Sequence, residues 1–170
     1  MRKTINCFIP YEENTAIDKV VTALKDSIVV NKIYLLTTAH GSMPSVPAGC
    51  EPFTIDSLNS SDTIKKIAQK ADTPFTLLYT KASPFELGYM ALERIADFLQ
   101  DRKTGMVYAD HYEWKEGEKK KHPAIDYQPG SVRDDFDFGA LLAFRSEYLI
   151  GAAGMMENER EDYRYAGLYA

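Results

Sequence analysis

The feature that most constrains the fold is an alternation of two periodicities. Short apolar runs at 5–9, 33–38, 53–55, 75–80 and 105–109 are interleaved with stretches whose apolar residues recur at helical spacing. A strand, a tight loop and an amphipathic helix make the unit of a mainly parallel α/β sheet. In the first unit Pro10 lacks a ladder donor and is expected to close the strand. Thr15 is expected to cap a helix that buries Ile17, Val20, Val21, Leu24 and Ile28.

The punctuation extends the pattern. Gly41, Pro44, Pro47, Gly49 and Pro52 mark the loop 39–52 as an insertion after the second strand. Residues 59–62 open a helix with Ile64, Ile67, Ala68 and Ala71 on one face. The run 75–80 is apolar on both faces, as the centre of a parallel sheet requires. Ser83, Pro84 and Glu86 read as N-cap, first helical position and third position of a capping box. The helix behind them is expected to bury Leu87, Ala91, Leu92, Ile95, Phe98 and Leu99.

Beyond residue 109 the period changes. Residues 111–114 and 119–123 about Gly117 read as a hairpin, 124–132 as an irregular loop, and 138–144 as a late strand. A short helix at 146–150 is expected to break at Gly151 and Gly154. Residues 161–170 are helical in character with no stop signal, so the chain is expected to be a single domain over 1–170 that continues past Ala170.

Charge and hydropathy exclude some functions. A net charge of −5 argues against general nucleic-acid binding, which needs an excess of Lys and Arg on one face. The basic run Lys119, Lys120, Lys121, His122 is flanked by Glu113, Glu116 and Glu118, and reads as a solvated hairpin tip, or secondarily as a phosphate or membrane contact. No apolar run reaches the roughly 18 residues of a membrane span, and the expected location is the cytoplasm. Cys7 and Cys50 are isolated, and Cys7 reads as a small core residue.

The chemistry-bearing residues gather late. Arg133, Asp134, Asp135 and Asp137 form an acidic loop before the late strand, and Glu161 and Asp162 stand at the start of the last helix. Acids beside buried elements are costly to desolvate and point to a site. Singly, they read equally as exposed loop acids or as a first-turn pair favoured by the helix dipole. Asp110 and His111 end the fifth strand, either as metal ligands or as plain surface.

Four stretches resemble family 2 glycosyltransferases: 6–12, ending in Pro10, Tyr11 and Glu12; Ala91 to Glu93 with 105–110; 138–145, a Gly139-to-Arg145 strand; and the pair Glu161, Asp162. The resemblance implies a GT-A-like (Rossmann-like) α/β fold: a mostly parallel central sheet with helices on both faces and a mixed C-terminal half. It implies a nucleotide-binding half at 1–110 and an acceptor-side half at 111–170. The implied activity is transfer of a sugar from a nucleotide-sugar donor, a UDP-sugar foremost, to a glycan or other acceptor hydroxyl with inversion. Asp162 would be the catalytic base, and Pro10, Tyr11, Glu12, Thr38, Lys81 and Asp110 would hold the donor. Arg133, Asp134, Asp135, Asp137 and Glu161 would hold the acceptor. Phe136, Phe138, Tyr127 and Trp114 are candidates for stacking on a sugar, and Arg133 and Arg145 join Lys81 as candidate cations, although Arg145 can equally pair with Glu147.

Two departures change the expected chemistry. The family's Asp-x-Asp at the end of the fourth strand is replaced by Thr80, Lys81 and Ala82, and its Asp-Asp-Gly-Ser turn by residues 37–41. The cofactor is thus Mg²⁺ or Mn²⁺, held by Asp110 and His111 at best, or none, with Lys81 supplying the positive charge. The alternative function is a catalytically degenerate domain that binds a nucleotide or glycan without transfer.

Overall fold

A computed structural model of the chain describes residues 3–12, 16–38, 45–124 and 137–156. The elements in order are β1 (Ile5–Pro10), α1 (Asp18–Asp26), β2 (Val30–Thr38), β3 (Glu51–Ile55), α2 (Ser61–Gln69), β4 (Phe75–Tyr79), α3 (Ala91–Gln100), β5 (Met106–Val107), β6 (His111–Lys115), β7 (Glu118–His122), β8 (Leu141–Arg145) and α4 (Ser146–Met155). Six strands form one sheet in the order β3-β2-β1-β4-β8-β5, and β6 and β7 pair separately as a hairpin. β3, β2, β1 and β4 are parallel; β8 runs antiparallel between β4 and β5.

Alternation along the strands divides the core into two layers. Ile5, Cys7 and Ile9 of β1 and Phe75, Leu77 and Tyr79 of β4 point to the face covered by α1 and α3. Phe8, Leu78, Leu142 and Phe144 point to the face covered by α2 and α4. β1 and β4 are buried at every position, and their predominantly apolar runs are what a strand covered on both faces needs. Each fully buried Leu or Ile contributes about 1.5–3 kcal/mol. Among the polar groups that interrupt the layers, Asn6, fully buried, donates to Asp72 Oδ1 (2.6 Å) and Lys70 O (3.2 Å) and accepts from Asn31 Nδ2 (3.0 Å). With donors and acceptor satisfied, its burial cost is offset.

Several boundaries differ from the sequence expectations. Pro10 is the last residue of β1, as expected, but Pro52 lies inside β3, an edge strand, where a missing donor is tolerated. α1 ends at Asp26 and Ile28 is 50% exposed; Thr15 lies outside the described residues. The capping box at Ser83, Pro84 and Glu86 does not form. α3 starts eight residues after Ser83, behind Met90 in the left-handed region (φ 50°), and the Ser83 hydroxyl instead bonds the Tyr79 hydroxyl at 3.0 Å. The reason is tertiary: Phe85 and Leu87, two apart, both pack on the α1/α3 core layer, with the Phe85 ring 4.3 Å from that of Tyr79, and an i, i+2 pair shares a face only in extended chain. α3 buries Leu92, Ala96 and Leu99, while Phe98 is 62% exposed. α4 runs through Gly151 and Gly154 because Leu149 and Ala153 pack against the layer that holds Ile64, Ile67 and Ala68. That contact outweighs a glycine cost of about 1 kcal/mol each.

Other expectations match. α2 is capped by Ser60, whose hydroxyl accepts from the Asp62 amide at 3.1 Å. The hairpin turns at Glu116 and Gly117, both at positive φ. No helix among the described residues is long and apolar enough to cross a membrane.

Candidate functional site

Strand order locates the place where a ligand fits. The chain steps from β1 outward to β2 and β3, then returns to the other side of β1 as β4, so the order reverses between β1 and β4. In open α/β sheets the crevice at such a reversal, outside the carboxyl ends of the strands, is where ligands bind. With Phe8 opposite Leu78 in parallel register, Pro10–Tyr11 and Thr80–Lys81 leave the sheet at neighbouring points.

The β1 side is fixed by the backbone. The Tyr11 amide donates to Leu36 O at 2.9 Å, and the Tyr11 hydroxyl donates to Ser45 O at 3.3 Å. Glu12 beside it and Thr38 at the end of β2 are exposed on the same edge.

The β4 side carries the charge. The Thr80 amide donates to Ala140 O at 2.9 Å, which ties the end of β4 to the start of β8. The next residue, Lys81, places Nζ 2.8 Å from Oε1 of Glu113 on β6. The hydrogen bond that Lys81 donates to Glu113 is the main cause that raises the Lys81 pKa, with Glu113, Tyr79 and Asp137 adding negative potential and burial opposing. Reciprocally, the Lys81 ammonium holds the Glu113 carboxyl below the usual carboxylate range. Both groups are therefore charged at neutral pH.

The rest of the cluster surrounds Glu113. Alternation along β6 puts His111 and Glu113 on the inner face of the hairpin and Tyr112 and Trp114 on the outer face. His111 Nε2 is buried, without a hydrogen bond among the described residues, and lies 3.6 Å from Glu113 Oε1; its ring stacks on that of His122 at 5.2 Å. The other edge of the ring lies against Gly139, where a Cβ would come within 3.2 Å of His111 Nδ1. Gly139 has φ +83°, and Asp137 accepts its amide at 2.8 Å. The positive φ and the close approach of the His111 ring both favour glycine. Gly139→Ala is expected to cost about 1–3 kcal/mol in urea unfolding through backbone strain, with the His111 ring displaced in NMR spectra. Unchanged stability and unchanged imidazole shifts would refute that role.

The structure thus brings Lys81, His111 and Asp137 together and adds Glu113, which the sequence marked only as an acid flanking a basic run. No local signal paired it with a lysine 32 positions earlier. Asp110 accepts from the Ala124 amide at 2.7 Å and faces Lys121 Nζ at 3.7 Å, so it closes the base of the hairpin. Arg145 stands at the opposite edge of the sheet, opposite Phe75 at the start of β4, bonded to the carbonyls of Leu99, Asp101 and Thr104 and 3.7 Å from Glu147. It is a structural cation, not a site cation. Phe138 is 4% exposed with its ring against Tyr108, a core position and not a sugar platform, whereas Trp114 is 75% exposed. Tyr127, Arg133, Asp134, Asp135, Phe136, Glu161 and Asp162 lie outside the described residues.

A divalent cation does not fit the end of β4. Thr80, Lys81 and Ala82 offer no carboxylate, and an ammonium repels a metal ion. Among the described residues no group of three or more His, Cys, Asp or Glu is arranged to hold one. The positive charge available at this point is that of Lys81. No protein-family model matches the chain, and no curated protein matches it by sequence.

Proposed function

We propose that the chain is a glycosyltransferase-like domain that holds a nucleoside-diphosphate sugar at the β1/β4 crevice and moves the sugar to an acceptor hydroxyl. The observation that carries this reading is the position of Lys81, a cation at the carboxyl end of β4 beside the strand-order reversal. A parallel half followed by the antiparallel β8 agrees with the GT-A-like layout. Pro10, Tyr11, Glu12 and Thr38 flank the nucleoside, and Lys81 meets the diphosphate. Acceptor contacts come from Asp137 and, on the resemblance, from Arg133, Asp134, Asp135 and Glu161.

In the transfer, the base takes the acceptor proton, the acceptor oxygen attacks the anomeric carbon, and the bond from that carbon to the diphosphate oxygen breaks. Asp162 is the base on the resemblance. The departing diphosphate carries the developing charge, which Lys81 stabilises by a charge-assisted hydrogen bond.

A second reading, nucleotide or glycan binding without transfer, is favoured by the missing carboxylates at 80–82 and by the prior engagement of Lys81 with Glu113. Calorimetric titration with UDP-glucose and UDP-N-acetylglucosamine, with and without Mn²⁺, separates the readings when combined with an assay for UDP release. Binding that does not need Mn²⁺, followed by UDP release, is the expected result. Saturable binding without release would leave the second reading, and no binding in any condition would end both.

A further inference from the structure

We propose that Glu113 is an internal competitor for Lys81: it occupies the ammonium as a built-in anion that a phosphate-bearing ligand must displace, so it weakens the binding of charged ligands and leaves that of uncharged ones unaffected. This rests on the reading above, in which Lys81 receives the diphosphate.

The geometry supports an exchange of partners. The Lys81 and Glu113 side chains are 53% and 36% exposed and meet at 2.8 Å, so the pair is a solvent-screened contact of the weak kind. A diphosphate, with more charge and more acceptor oxygens than one carboxylate, outcompetes it. An uncharged sugar or nucleoside offers nothing in exchange for the ammonium.

The displaced carboxylate has somewhere to go. Lys120 is the direct cross-strand partner of Glu113 in the β6/β7 register, on the same face of the hairpin, and such pairs lie within reach of each other. The hairpin is a two-stranded sheet bonded separately from the six-stranded one, so a small shift of Glu113 leaves the main ladder intact. Release from Lys81 to Lys120 trades one ion pair for another at little cost.

The experiment is calorimetric titration with UDP and with uridine of the wild type, Glu113→Gln, Glu113→Ala, Lys81→Met and the double variant Glu113→Gln/Lys81→Met. Circular dichroism checks that each is folded. Glu113→Gln is expected to tighten UDP binding by about two- to fivefold, the range for release of one exposed ion pair. Uridine affinity is expected to stay unchanged, and the gain to vanish in the Lys81→Met background. Unchanged or weaker UDP binding in both Glu113 variants, with wild-type binding intact and lost in Lys81→Met, would overturn the competitor role alone. UDP binding that survives Lys81→Met would overturn the reading beneath it as well.

Discussion

Lys81→Met is expected to weaken UDP binding by about 10- to 100-fold, the scale of a lost hydrogen bond to a charged group. The effect has two parts: the ammonium proposed to meet the diphosphate is removed, and the Glu113 carboxylate, 2.8 Å from it in the folded protein, is no longer neutralised by it and repels the incoming anion. Lys81→Arg keeps the charge but replaces a point donor by a planar fork, so it should retain most of the affinity. Global stability should hardly change, because the side chain is half exposed and its ion pair is solvent-screened. Isothermal calorimetry gives the affinity and urea unfolding the stability. UDP affinity within twofold of wild type would remove Lys81 from the site.

Phe8→Ala is expected to destabilise the domain by about 3–5 kcal/mol. Phe8 has no solvent exposure; its ring stacks on Tyr34 at 4.8 Å and meets Phe53 edge-on at 5.9 Å. It occupies the middle of β1, a strand hydrogen-bonded on both sides, where the backbone cannot collapse into the space left behind. A loss of that size is about a fifth or more of the net stability of a typical domain, about 5–15 kcal/mol. The urea midpoint should fall with the slope unchanged. A loss below about 1 kcal/mol would mean that the aromatic layer of Phe8, Tyr34 and Phe53 repacks freely, against the usual cost of emptying a close-packed core.

How much of this was legible in the sequence depends on the range over which each feature is decided. β1, β2, β4 and the hairpin are encoded locally by apolar runs and by Gly117, and the α2 cap by Ser60, so their presence could be read directly. The start of α3 could not, because Ser83, Pro84 and Glu86 satisfy a local rule that the packing of Phe85 and Leu87 overrides. The length of α4 was hidden for the same reason: Gly151 and Gly154 argue for a stop, and the layer beneath Leu149 and Ala153 argues against it. Long-range pairing was the least legible. That β8 lies between β4 and β5, and that Glu113 reaches Lys81, are properties of register and topology with no local signature. Lys81, Tyr11 and Thr38 were identifiable because strand ends are, and the crevice follows from the strand ends once the order is known.

The late arrival of β8 governs how the domain can assemble. Tyr79 has Leu141 as its neighbour in the sheet, so one side of β4 stays without its hydrogen-bonding partner until more than sixty further residues have left the ribosome. During that interval a mostly apolar strand is an open edge, the kind of surface that recruits other chains. The exposure ends when residues 141–145 slot in from the opposite direction, a step that completes the ladder and brings Gly139 up against His111. Closing the sheet and seating Gly139 against the His111 ring are thus one event in the life of the nascent polypeptide.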